Sequence, residues 1–286
     1  MLRLIGLGLS IDSIPLGNLK KLLLLCDKIF VDAYTSVWFP DINILVKTLL
    51  NMKKDVIIAK RYMLEGSAIE NVVNEAMKKD VCIAVVGDPL IATTHSIIIV
   101  EALKKGVEVD VSPATSIFNT AISISCLQIY RFGKVATIVS SKNGVVYEYP
   151  FTVLKMNREQ NLHTLFLLEI DVEKKYYMKP NEGIELIMNI QKGLGEKVLA
   201  NEDIVIVIAD AFSRKQKVFV LSVEEAMKKT FNENTLYTLI IPAKKLHPVE
   251  EECINLIRDK NLYHSVTYEK DLINSAESLI HQNNSL

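Results

Sequence analysis

Short apolar runs of strand length alternate with helical patterns through the first 112 residues, and few folds accommodate that rhythm. Leu2 to Leu7 reads as a strand, Pro15 to Cys26 as a helix, Lys28 to Val31 as a strand, Ile42 to Lys53 as a helix and Val56 to Ala59 as a strand. Ser67-Ala68-Ile69-Glu70 has the pattern of a capping box opening a helix to Lys79. Strand Val81 to Val86, helix Ile97 to Lys105 closed by Gly106, and strand Val107 to Val111 complete the series. Connections of this kind build a parallel sheet covered by helices on both faces.

After Ser112-Pro113, read as a crossover, the rhythm changes. A helix is predicted from Ser116 to about Leu127, a strand from Val135 to Val139 and a helix around Tyr149 to Asn161. Strands follow at Leu165 to Ile170, Ile204 to Ala209, Val218 to Val220 and Leu236 to Ile241. Helices lie at Glu182 to Lys192 and after Ser222, whose Ser-Val-Glu-Glu is a second capping box. Ile204 to Ala209 and Val218 to Val220 are closely spaced around Ser213-Arg214-Lys215-Gln216 and read as a hairpin, so this sheet is mixed. The expectation is an α/β chain of two domains, 1–112 with a parallel sheet and 113–260 with a mixed one. Residues 261–286 form a polar, loosely docked extension.

Composition narrows the function. The formal net charge of −1 in 286 residues argues against broad nucleic-acid or membrane-surface binding. No apolar stretch reaches the roughly 18 residues of a membrane span, and the N-terminus runs straight into a strand, so a cytoplasmic protein without signal peptide is expected. Cys26, Cys82, Cys126 and Cys253 are far apart with no CxxC pair, which favours free buried thiols over a zinc site or disulfides. His95, His163 and His247 form no metal set: His95 suits a helix cap or a ligand contact, His163 a structural role.

Val86-Gly87-Asp88-Pro89 ends a strand, where open α/β sheets hold their ligands. Asp88 suits a ribose hydroxyl or an ammonium there, and equally an Asx turn. Gly6-Leu7-Gly8 begins a GxGxxG, but the third glycine would fall at Ile11 and Asp32 is a weak acidic partner, so a dinucleotide site is disfavoured. There is no GxxxxGK[ST] and no GxSxG elbow, which removes a P-loop and a serine hydrolase. The two glycines allow close approach to a ligand or to a neighbouring loop.

Several segments then resemble one family. Leu4-Ile5-Gly6-Leu7-Gly8-Leu9, Ala33-Tyr34-Thr35-Ser36, Val86-Gly87-Asp88-Pro89 with Ala92-Thr93-Thr94-His95, Leu127-Gln128-Ile129-Tyr130-Arg131-Phe132-Gly133, Leu162-His163-Thr164-Leu165 and Leu246-His247-Pro248 are similar to diphthine synthases, in that family's order, over residues 1 to about 255. The GxG start and the Gly-Asp-Pro turn belong to the wider tetrapyrrole (precorrin) methylase superfamily. The resemblance implies two α/β domains around a cleft, S-adenosyl-L-methionine (AdoMet) as cofactor with S-adenosyl-L-homocysteine as product, and a homodimer. It implies N-methylation of the 3-amino-3-carboxypropyl group on a modified histidine of translation elongation factor 2, stopping at three methyl groups in archaeal members. The family's AdoMet contacts fall at Leu9, Asp88, Ile91, Ser116, Ile117, Leu168, Ala211 and Tyr237. Many relatives have histidine at the last position, and tyrosine keeps a ring and a hydrogen-bonding tip. Neither a catalytic base nor a metal is implied. A tetrapyrrole methylase and a non-catalytic nucleotide-binding protein are the rival readings.

Overall fold

The computed structural model describes residues 1–141 and 144–260, so the expected extension at 261–286 lies outside the described residues. Five strands, β1 (Leu2–Gly6), β2 (Lys28–Asp32), β3 (Asp55–Ala59), β4 (Val81–Val85) and β5 (Val109–Ser112), form a wholly parallel sheet in the order β3-β2-β4-β1-β5. Between them run helices α1 (Leu16–Leu25), α2 (Ile42–Asn51), α3 (Arg61–Leu64), α4 (Ile69–Ala76) and α5 (Ser96–Lys104). Leu22 of α1 and Leu45, Val46 and Leu49 of α2 cover one face, while Val72 and Val73 of α4 and Ile98 and Ala102 of α5 cover the other. Both faces are therefore covered, as is usual for a parallel sheet. From β1 the chain crosses to one side and from β4 to the other. The ends of these two neighbours thus form the switch point of the sheet, where a crevice opens.

The second sheet is mixed, in the order β11-β10-β12-β7-β6, from β6 (Ala136–Ile138), β7 (Thr164–Leu168), β10 (Ile204–Ala209), β11 (Lys217–Ser222) and β12 (Tyr237–Ile241). Only β6 and β7 pair in parallel, and β10–β11 is the expected hairpin. A two-stranded ribbon, β8 (Ile170–Asp171) with β9 (Tyr176–Tyr177), breaks the strand expected to continue to Ile170. Helices α6 (Ile117–Ile124), α7 (Tyr149–Glu159), α8 (Pro180–Leu194), α9 (Val223–Lys228) and α10 (Pro248–Lys260) surround it. The period of two divides β10 cleanly. Val205 and Val207 pack towards α7, α8 and α9, and Ile206 and Ile208 towards α6 and α10.

Ser222 caps α9 as expected, accepting from the Glu225 N–H at 3.0 Å. Ser67 does not cap α4. Gly66, at φ +64°, lets the chain wind into a 3-10 turn over Gly66–Ala68, which places Ser67 inside the turn. The cysteines also depart from expectation: they form two disulfides, Cys26–Cys82 and Cys126–Cys253. Pairing of β2 with β4 sets Ile29 opposite Cys82, bringing Cys26 near, and α10 returns Cys253 to the end of α6. Separations of 56 and 127 residues conceal that proximity.

Candidate functional site

Two glycine turns at the switch point are stitched together. The Gly8 N–H donates to the Gly87 carbonyl at 3.1 Å and the Gly87 N–H to the Gly8 carbonyl at 2.8 Å. Gly8 (φ +68°) and Gly87 (φ +77°) hold left-handed conformations that favour glycine. At Gly6 the reason is space: a Cβ would stand 2.6 Å from the Cβ of Ala114 in the crossover. Of the two roles open to the Gly6–Gly8 pair, close approach to a neighbouring loop is the one seen here. Asn18 of α1 clamps the arrangement by donating to the carbonyls of Gly6 and Pro113 at 2.8 and 3.0 Å.

Asp88 emerges from this knot. Its Oδ1 accepts from the Leu90 N–H at 2.9 Å and its Oδ2 from the Ala114 N–H at 3.1 Å. The Asx turn and the tie to the crossover are both real, and each oxygen retains a lone pair for a further donor.

Above the knot, between the two sheets, lies a cleft of about 1020 Å³, open solvent at its mouth included. Leu9, Asp88, Ile91, Ser116, Ile117, Leu168, Ala211 and Tyr237 all line it, although they come from six separate segments of the chain. So do residues that the sequence reading did not assign to the site: Thr35, Ser36, Val37 and Phe39 from the loop after β2, Ala92 and Thr93 after the Gly-Asp-Pro turn, Thr137, Ile208 and Thr238 from the second sheet, and Leu236 just before β12. The Tyr-Thr-Ser and Ala-Thr-Thr-His segments were the available signal for the first two groups.

The backbone is forced where it meets the cleft. Ala92 sits at φ +59°, and Ala211 is flanked by Asp210 at +44° and Phe212 at +60°. Left-handed non-glycine residues cost free energy and gather at ligand clamps. Asp210 is held by its surroundings: its Oδ1 accepts from the Leu236 N–H at 3.0 Å, and burial pushes its carboxyl above the ordinary value. Tyr237 differs from expectation in one respect. Its hydroxyl accepts from the Asn232 N–H at 2.9 Å and its ring packs edge-on against Phe231, so the polar tip turns into the core of the second sheet.

The lining has a definite chemistry. Among the described residues it contains no lysine, arginine or histidine, one carboxylate (Asp88), several hydroxyls and many apolar side chains. A polyphosphate would find no cation here. A nucleoside that carries positive charge and no phosphate is matched: apolar walls for a base, hydroxyls and a carboxylate for sugar and ammonium. AdoMet is such a molecule, and the residues present fit it.

Comparison with known proteins agrees. Residues 2–227 match the family model of the Tetrapyrrole (Corrin/Porphyrin) Methylases. Diphthine synthase of Methanococcus maripaludis is 33% identical over 261 residues, covering 90% of this chain and 98% of that protein. The one from Staphylothermus marinus is 34% identical over 262 residues, covering 90% and 93%. The chain belongs to the diphthine synthase family. A solved diphthine synthase structure superposes with a TM-score of 0.78 at 28% identity, covering 90% of this chain and 96% of that one. The protein is thus an AdoMet-dependent methyltransferase of diphthamide biosynthesis.

The segments that carry this family's resemblance fold into two carboxylate-centred knots. In the first, Asp32 is wholly buried at the end of β2. Its Oδ1 accepts from the N–H groups of Tyr34 and Thr35 at 3.1 and 3.0 Å, and its Oδ2 from the Thr35 hydroxyl at 2.5 Å. His95 Nε2 lies 3.3 Å from the same Oδ2. The other ring nitrogen, Nδ1, stands 3.2 Å from the Pro89 carbonyl, which can only accept, so Nδ1 carries a proton. His95 therefore joins the loop after β2 to the loop after β4; it holds the N-cap position of α5 without a side-chain capping bond and is not among the lining residues of the cleft. Burial, and then the charge of Asp32, push the Tyr34 phenol well above its ordinary value.

The second knot lies outside the cleft lining and centres on Glu250 of α10, also wholly buried. It accepts from the N–H groups of Gln128 and His247, both at 2.9 Å, from the Arg131 guanidinium and from His163 Nε2 at 3.1 Å. His163 Nδ1 accepts from the Ala243 N–H at 2.9 Å, so the proton is on Nε2 and the ring is neutral. Burial accordingly holds the His163 pKa below its ordinary value. Its expected structural role is the one the structure shows.

Proposed function

We propose that this enzyme methylates the amine of the 3-amino-3-carboxypropyl group on the modified histidine of translation elongation factor 2, carrying it to the trimethylammonium stage. The observation that carries the reading is the cleft itself: a cation-free pocket with one carboxylate, in a chain 33% identical to diphthine synthases over 90% of its length. When bound, AdoMet supplies a methyl group already activated by a sulfonium. What remains for the protein is alignment, exclusion of water and a route for one proton. The acceptor amine attacks as the free base. As its nitrogen–carbon bond forms the carbon–sulfur bond breaks. The first two transfers each leave an N–H proton to pass to solvent at the cleft mouth, whereas the third, on a tertiary amine, releases none.

In this reading Leu9, Ile117, Leu168 and Ala211 hold the apolar parts of the cofactor, Ile91 closes the rim, Tyr237 packs behind, and Ser116 with the first turn of α6 faces the carboxylate. Asp88 takes the ribose or the ammonium. The two sheets act as two domains divided near residue 112, and the enzyme works as a cytoplasmic homodimer without nucleic acid. Among the described residues no helix is long and apolar enough to cross a membrane.

Asp88→Ala tests the assignment. It removes a ligand contact and two backbone anchors together, so AdoMet binding and fold stability are each expected to fall by about 1–3 kcal/mol. Calorimetry and thermal unfolding read the two losses separately. Unchanged AdoMet affinity beside lowered stability would leave Asp88 as a turn residue alone.

A further inference from the structure

Two cleft hydroxyls have their protons committed elsewhere. The Thr35 hydroxyl donates to Asp32 Oδ2 at 2.5 Å, and the Thr93 hydroxyl donates to the Pro89 carbonyl at 2.8 Å. The Pro89 carbonyl has no proton to give, and Asp32 Oδ2 stands as the acceptor of the Thr35 hydroxyl. Both residues line the cleft, and each threonine oxygen, its proton committed, has only lone pairs left to offer a further partner. His95 locks their loops together, bridging Asp32 at 3.3 Å and the Pro89 carbonyl at 3.2 Å. These are the same two groups that take the threonine protons. The Asp32–His95 knot thus fixes both the position and the polarity of the pair.

We propose that Thr35 and Thr93 form the acceptor-amine subsite, each receiving one N–H of the substrate's neutral primary amine. The inference rests on the methyl-transfer reading above. A neutral primary amine has two N–H bonds and one lone pair. Holding both N–H groups on acceptor-only oxygens leaves the lone pair as the one free feature of the nitrogen, directed at the methyl group. A subsite containing a hydroxyl donor would instead bind the lone pair and block attack.

The arrangement has a consequence that a purely structural role would not share. Each transfer replaces one N–H by N–CH3. The unmethylated amine offers two donors, the monomethyl one, and the dimethyl amine none. Loss of either oxygen must therefore hurt the first transfer and spare the third.

The test uses the full-length enzyme with elongation factor bearing either the unmethylated or the dimethylated side chain. Thr35→Val and Thr93→Val are measured for KM and kcat on each acceptor, with AdoMet affinity by calorimetry. Both variants are expected to raise KM for the unmethylated acceptor about tenfold, equivalent to about 1.4 kcal/mol. Turnover of the dimethylated acceptor and AdoMet affinity should stay within about twofold, a change below 0.5 kcal/mol by the same conversion. Thr35→Ser, which keeps the oxygen, should restore KM. Thr93→Val carries the test if Thr35→Val fails to fold, since the Thr93 hydroxyl bonds only a loop carbonyl.

Equal losses on both acceptors, a parallel loss of AdoMet binding, or no change on the unmethylated acceptor would each overturn the inference. Wild-type enzyme inert on both acceptors would overturn the reading beneath it, and the inference with it.

Discussion

Glu250→Ala is expected to lower the stability of the folded chain by about 3–5 kcal/mol, the cost of removing one partner from a buried charged cluster. The truncation leaves the Arg131 guanidinium, His163 Nε2 and the N–H groups of Gln128 and His247 without their acceptor. α10 would lose its hold on the chain around β7 and β12, and denaturant titration should show the midpoint shift. The same knot sets an acid limit. In the folded chain the His163 pKa lies below 6.5, so between that value and the folded pKa the unfolded state binds more protons. The Glu250 carboxyl is also depressed. Burial alone would raise it, but the N–H groups of Gln128 and His247 and the nearby His163 outweigh that. Its stabilisation is complete above the ordinary value of 4.5 and is lost as pH falls through the folded value. Both contributions have the same sign. The melting temperature should hold above pH 6.5 and fall as the solution is acidified; a rise between pH 7 and pH 5 would contradict the network.

The second large effect belongs to Asp32. Asp32→Ala strands three donors at a wholly buried carboxylate, two N–H groups and the Thr35 hydroxyl, and removes the contact with His95. A stability loss of about 3–5 kcal/mol is expected here too. Methyl transfer should fall further than the folded fraction does, because the loops carrying Thr35 and Thr93 lose their common anchor. Asp32→Asn keeps one acceptor oxygen and should lose less of both. Activity that merely tracked the folded fraction would separate this knot from the site.

These two knots show where sequence reasoning reaches and where it stops. The parallel sheet was legible because short, mostly apolar runs such as β4 alternate with helical patterns, a rhythm that builds a sheet buried on both faces. The hairpin β10–β11 was legible from short spacing around polar residues. The eight cofactor positions followed from resemblance, and no periodicity would have found Leu168 or Ala211, which look like core. Asp32 looked like a failed ribose contact, and His95 like a helix cap. Their contact with each other, His95 Nε2 to Asp32 Oδ2 at 3.3 Å, depends on where two loops meet in space. The cysteine pairs escaped for the same reason. Ser67 misled because a glycine one residue earlier let the chain turn before the helix began.

The central claim is that this chain methylates a modified histidine on a protein. The direct measurement is mass analysis of elongation factor 2 bearing the unmethylated 3-amino-3-carboxypropyl-histidine, after incubation with the enzyme and isotopically labelled AdoMet. The account predicts three successive additions of one labelled methyl group on that single residue, with free histidine inert. Methylation of a tetrapyrrole with no transfer to the elongation factor would contradict it.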